Sequence, residues 1–206
     1  MRRPWVCVPM MSLCLLLCAC GGSAEDADAA QAARAPYQEM ESCSMTAEVS
    51  AAYGDEVSTF TLKCDYTPEE STVEVLAPET AAGVKAVLSG DGVTLTYEED
   101  VLPAGPLSRE KLSPAACLPR LMNALRDGWL LEENKEDWND APCLRMSMEQ
   151  TGGDGSRVVS TLWLKEEDHT PVRGEIAVDG EIILQAEFTE FQFGAILDGG
   201  SGAAGE

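Results

Sequence analysis

The chain is poor in histidine, in basic side chains and in aromatic rings, and each shortage removes a class of function. A single histidine, His169, leaves no two-histidine metal site and no histidine-relayed pair to activate a nucleophile. Basic residues number 14 against 36 acidic ones, a formal charge of −22, so no basic patch is available for nucleic-acid phosphates. The same imbalance favours solubility and disfavours docking of the body on an anionic membrane surface. No Gly-x-Ser-x-Gly elbow occurs. Gly90-Asp91-Gly92 and the run at 152–155 lack both the further carboxylates of a calcium loop and the Lys-Ser/Thr of a phosphate loop, and read as turns. His169 sits in Asp168-His169-Thr170-Pro171, also a turn. The acidic pairs and triplets Glu69-Glu70, Glu98-Glu99-Asp100 and Glu166-Glu167-Asp168 fall at strand ends and read as solvated rims. No catalytic residue, cofactor or metal is expected, and the chain does not read as an enzyme.

What is present begins at the N-terminus. Arg2 and Arg3 precede a short apolar run, interrupted by Pro4, Pro9 and Ser12, that ends at Ala19. A charged start, an apolar core and a small residue before a cut describe a secretory signal, too short to be a transmembrane helix. Leu17-Cys18-Ala19-Cys20 resembles the bacterial lipobox. That resemblance implies cleavage before Cys20, a diacylglycerol on its thiol and an acylated amine, which anchor the chain on the extracytoplasmic face of the cell membrane. The alternative is a plain signal cut near Ala19 or Ser23. Loss of residues 1–19 removes two arginines and no acid, leaving 187 residues with a formal charge of −24.

Residues 20–36 carry almost no large apolar side chain and read as a lipidated flexible tether, with at most a nascent helix over 24–34. A polar tail covers 196–206. Between them short strands alternate with turns: Met45 to Ala51, Val57 to Tyr66, Ser71 to Leu76, Gly83 to Leu88 and Val93 to Tyr97, with a helical turn at Pro78. One helix follows Ser113, with Pro114 at its first position and Pro119 implying a kink or a fresh start. Leu118, Leu121, Met122, Leu125 and Trp129 recur at helical spacing and Gly128 is a candidate stop. Leu144 to Glu149, Arg157 to Leu164, Val172 to Val178 and Glu181 to Phe193 are further strands, the last two joined by Asp179-Gly180, the strongest hairpin signal in the chain. The fold class is mainly β, a curved antiparallel sheet or incomplete barrel covered by one or two short helices.

Four cysteines remain after processing and anchoring: Cys43, Cys64, Cys117 and Cys143. An even number in an exported domain predicts two disulfides. With the first hairpin centred between Tyr53 and Gly54, Cys43 and Cys64 are equidistant from the turn and face each other. Cys117 on the helix is then left to meet Cys143. Free, buried thiols are the alternative.

The order of these elements, with Leu162-Trp163-Leu164-Lys165, His169-Thr170-Pro171 and Phe188-Thr189-Glu190-Phe191, resembles the LolA-like family of lipoprotein carriers, receptors and related sensor or sporulation lipoproteins. The resemblance covers residues 37–195. It implies a strongly curved sheet closed on its open side by helices, with acyl chains held between them. Leu121, Met122, Leu125, Trp129, Leu162, Leu164 and Phe188 are the candidate cavity residues, with Ile182 and Leu184 beside them. Two functions are compatible: a membrane-anchored lipoprotein that binds a lipid or other hydrophobic ligand, or a sensor or assembly module that contacts an extracytoplasmic protein partner.

Overall fold

The computed structural model describes residues 24–54, 56–90, 92–97, 100–106, 113–151 and 156–194; the signal segment, Cys20 and the tail 196–206 lie outside them. In chain order the elements are α1 (Ala24–Glu39), β1 (Cys43–Tyr53), β2 (Glu56–Tyr66), β3 (Glu70–Ala77), β4 (Lys85–Ser89), β5 (Gly92–Tyr97), β6 (Asp100–Pro106), α2 (Pro114–Asp127), β7 (Trp129–Trp138), β8 (Ala141–Thr151), β9 (Arg157–Lys165), β10 (Pro171–Val178) and β11 (Glu181–Phe193). All eleven strands form one antiparallel sheet in the order β6-β5-β4-β3-β2-β1-β11-β10-β9-β8-β7. Two meanders are thus joined where the first strand meets the last, and the sheet remains open between β6 and β7.

Alternation along the strands gives the sheet two unlike faces. Met45, Ala47 and Val49 on β1, Leu62 and Cys64 on β2, Met146 and Met148 on β8, and Leu162 and Leu164 on β9 are buried on one face. α2 lies across that face and touches β1, β2, β3, β8, β9, β10 and β11. Seven flat strands would span about 29 Å, whereas a 14-residue helix is about 21 Å long, so the sheet curls around the helix. The apolar face is therefore concave.

Close approach of helix and sheet depends on glycine. A Cβ on Gly174 of β10 would stand 2.5 Å from Leu121 Cδ1, so the absent side chain is what seats Leu121 against the sheet. Gly128 ends α2 with φ −66°, so it is needed for space and not for a left-handed turn. A Cβ there would stand 2.5 Å from the Ala124 carbonyl and 2.8 Å from Met148 Cβ. Pro119 lies inside a continuous α2, so the helix does not start afresh there.

Four expectations are corrected. Residues 24–36 belong to α1 and are not a tether: Ala30, Ala33 and Tyr37 are buried, and the helix packs on α2. β6 and β7 are strands that the alternation did not reveal, and both are sheet edges. Cys43 does not face Cys64, because Tyr53 pairs with Glu56 and the register opposes Cys43 to Tyr66 and Cys64 to Met45. Diagonal neighbours of this kind are about 7–8 Å apart, beyond comfortable disulfide geometry. Cys143 cannot meet Cys117 either. Cys143 pairs with Lys165 and shares the convex face with Arg145, while Cys117 points from α2 into the concave side. All four are free, buried thiols.

Candidate functional site

The concave face is the site that the fold creates, and its two halves differ. Beneath α2 the interior is filled: Leu121, Met122, Leu125, Leu162 and Leu164 are 0 % exposed and pack on one another. These five candidate cavity residues are brought together, but as a closed core. Ile182 is exposed, whereas Leu184 is buried in that core. Phe188 faces the same side, paired with Ala47 and half-buried. Trp129 does not join them. Gly128 ends the helix one residue early, Trp129 opens β7, and its ring is 77 % exposed.

Polar anchors hold α2 over this core from three directions. Tyr66 on β2 donates its hydroxyl to Asn123 Oδ1 at 2.6 Å. On the other side Ser160 donates to Gln150 Oε1 at 3.1 Å, and Gln150 Nε2 donates to the Arg120 carbonyl at 3.2 Å. Arg34 of α1 caps the end of the helix. Its Nε donates to the Leu125 carbonyl and its Nη2 to the Gly128 carbonyl, each at 2.8 Å. A cation there complements both the orphan carbonyls and the negative pole of the helix. One turn further along α1, Tyr37 ties the helix to the sheet: its ring packs on Phe191 and Phe193, and its hydroxyl donates to the His169 carbonyl at 2.5 Å. Burial, foremost, raises the Tyr37 hydroxyl well above its ordinary value.

The other half of the concave face is less covered. Phe60 on β2, Val75 on β3, Leu88 on β4 and Leu95 on β5 border the core but are only half-buried. At the strand ends that carry the 67–70 and 89–92 turns, a cleft of about 340 Å³ opens between the sheet and α2, and of these four residues Leu88 lines it. Leu88, Ala116 and Pro119 give it an apolar wall, and Thr67, Glu70, Asn123 and Gln150 a polar one. This band, not the residues under α2, is where inward apolar surface stays accessible. Its signal in the sequence was the alternation in β2, β3 and β5, which marks an inward face without saying what covers it.

The remaining candidates behave as structural groups. His169 adopts φ +57° in its turn. Burial pushes the neighbouring Asp168 carboxyl up, but hydrogen bonds from the Thr170 hydroxyl and amide outweigh it and hold it below its usual value. Burial pushes the Cys43 and Cys117 thiols up to about 12 and Cys64 well above the ordinary thiol range, so none is a poised nucleophile. Among the described residues no group of three or more His, Cys, Asp and Glu could hold a metal ion. Glu69, Glu70, Glu166, Glu167 and Asp168 lie in or beside turns. Glu98 and Glu99 are outside the described residues.

One cluster escaped the sequence reading. On the convex face Trp163 is 6 % exposed beneath Trp138, 6.0 Å away centroid to centroid. Arg173 stacks 4.3 Å over Trp138 and pairs with Glu175 at 2.6 Å, while Arg145 lies 5.6 Å from the Trp163 ring. Trp163 Nε1 donates to Glu136. The donors and carboxylates are mutually satisfied, and the group acts as a small second core that stiffens β7–β10.

No protein-family model and no curated protein matches the chain. Solved structures do. A putative outer membrane lipoprotein-sorting protein domain from Vibrio parahaemolyticus superposes with TM-score 0.50 at 10 % identity, covering 85 % of this chain and 94 % of that one. A LolA-superfamily protein from Nitrosomonas europaea gives TM-score 0.48 at 11 % identity, covering 84 % and 95 %. LprF from Mycobacterium bovis gives 0.47 at 14 %, covering 85 % and 95 %. The fold is LolA-like: an open, curved antiparallel sheet with two helices.

Proposed function

We propose that the protein is a non-enzymatic, extracytoplasmic lipoprotein, anchored to the cell membrane through lipid on Cys20, that binds a lipid or other hydrophobic ligand on the concave face. One observation carries the reading. The inward apolar surface continues past α2 onto β2–β5, where Phe60, Val75, Leu88 and Leu95 remain half-buried. A single 14-residue helix is too short to cover a face of eleven strands. Apolar surface left accessible in a concave, largely pre-formed site is what a hydrophobic ligand recognises. The likeness to a lipoprotein-sorting domain supports the architecture of such a site.

Anchoring and binding are tested separately. Replacement Cys20→Ser releases a folded protein from the membrane fraction; retention of the variant there contradicts the anchor. An environment-sensitive apolar dye binds the wild-type domain and is displaced by fatty acid. Phe60→Asp, at a half-buried position, weakens dye binding at least tenfold with the circular dichroism unchanged, and unaltered binding contradicts the site.

A further inference from the structure

The large apolar side chains that the described residues leave exposed are Val57, Leu76, Tyr97, Trp129, Leu131 and Ile182. The pairing places all six at one end of the sheet. Val57 is next to the β1–β2 turn, where Tyr53 pairs with Glu56. Leu76 is one residue from the end of β3, and Tyr97 pairs with Asp100 at the β5–β6 turn. Ile182 pairs with Ala177 beside the Asp179–Gly180 turn. Trp129 pairs with Glu149 at the start of β7, with Leu131 two residues on. Because neighbouring strands are antiparallel and β1 pairs with β11, these turns and strand ends share one rim.

The opposite rim carries none of these six side chains. It holds the turns containing Glu69, Asn139-Asp140 and Glu166-Glu167-Asp168, and Tyr37 of α1 closes it by bonding to His169. Of the half-buried apolar residues packed on the core, Phe60, Val75, Leu95, Leu130, Val178 and Ile183 lie toward the apolar rim, and Leu88, Phe188, Phe191 and Phe193 toward the other.

We infer that the apolar rim formed by Val57, Leu76, Tyr97, Trp129, Leu131 and Ile182 docks on the surface of a zwitterionic lipid bilayer. This rests on the proposed anchor and ligand class. Trp and Tyr beside aliphatic side chains are the composition that settles at a membrane interface. The charge of −24 on the processed chain and the rim acids Glu56, Glu79, Asp179 and Glu181 select a zwitterionic over an anionic surface. The chain between Cys20 and the start of α1 at Ala24 reaches at most about 14 Å, so an anchored domain stays against its membrane. A second copy is a poorer occupant, since two such rims bring like charges together.

Trp129 reports the orientation. Trp138 lies about 30 Å away along β7, Trp163 packs against it about 17 Å along the strands from Trp129, and Trp5 belongs to the proposed signal segment. The mature protein is reconstituted in phosphatidylcholine vesicles bearing a nitroxide at headgroup depth, and its mass is measured for diacylglycerol. The expected result is a blue-shifted Trp129 emission mostly lost to quenching, absent in Trp129→Phe, with Trp138 and Trp163 emission retained. Vesicles containing phosphatidylglycerol reduce the effect. Unquenched Trp129 in a lipidated protein overturns the docking and points to a protein on this rim, even if the protein carries lipid in its concave face. If the mass shows no diacylglycerol, the anchor reading fails, and the same protein is floated with the vesicles: co-flotation that depends on Trp129 supports docking, and recovery in solution overturns it.

Discussion

Leu121 of α2 occupies the space that a side chain on residue 174 would fill, with Leu121 Cδ1 2.5 Å from where a Cβ on Gly174 would stand. Helix and sheet meet there through a missing side chain. Gly174→Ala forces a fully buried leucine out of its seat, and overpacking of this kind costs about 1–3 kcal/mol. Leu121→Ala alone leaves a cavity and costs about 2–5 kcal/mol. The pair is strongly non-additive, because the alanine at 121 makes room for the one at 174. Urea unfolding of the four proteins measures this; additive losses would show that the two residues do not share the space.

Arg34 is the second support of α2. Its removal leaves the Leu125 and Gly128 carbonyls without their charged donor, so Arg34→Met destabilises the domain by about 2–3 kcal/mol. Arg34→Lys recovers only part, because an ammonium lacks the planar fork that reaches two carbonyls. The loss appears first as faster amide exchange at the end of α2. Equal exchange in wild type and Arg34→Met would remove the cap from the account.

The thiols give a pH dependence with a definite sign. Cys43 and Cys117 ionise near about 12 in the folded protein, chiefly through burial, against an unfolded value near 9. Between those values the folded state keeps protons that the unfolded state has released. Their contribution is therefore fully present below pH 9 and declines as pH rises from about 9 toward 12. Denaturant midpoints fall over that range, and fall less in Cys43→Ala with Cys117→Ala. Without reductant, Cys43, Cys64, Cys117 and Cys143 are alkylated only after unfolding. Thiols that stay blocked in denaturant would establish the disulfides that the register argues against.

Much of the architecture was readable in the residues, and the failures have physical causes. Asp179-Gly180 placed its hairpin correctly, since Val178 pairs with Glu181. The first hairpin was centred one residue early, which slides the pairing by two. A slide of two returns every side chain to its own face, so hydrophobic alternation could not detect it, and the inferred Cys43–Cys64 bridge went with it. α1 was hidden because it buries Ala30, Ala33 and the polar Arg34 rather than a stripe of large apolar residues. β7 was hidden because an edge strand tolerates charge, and Trp-Leu-Leu-Glu-Glu-Asn-Lys-Glu-Asp-Trp has no inward alternation to read. The inward residues of α2 and β9 were legible as apolar. Whether they lined a cavity or filled a core depended on how closely Gly174 lets the helix approach, which periodicity does not encode.

The central claim is that the uncovered β2–β5 part of the concave face carries an apolar ligand. Native mass spectrometry of the protein purified from its host membrane without added lipid tests it most directly. The account predicts a population heavier by the mass of one lipid, lost in Phe60→Asp and in Leu95→Glu but retained in Trp129→Ser, whose ring lies outside the concave face. A single ligand-free mass in the wild type, or a bound lipid indifferent to Phe60 and Leu95, would contradict it.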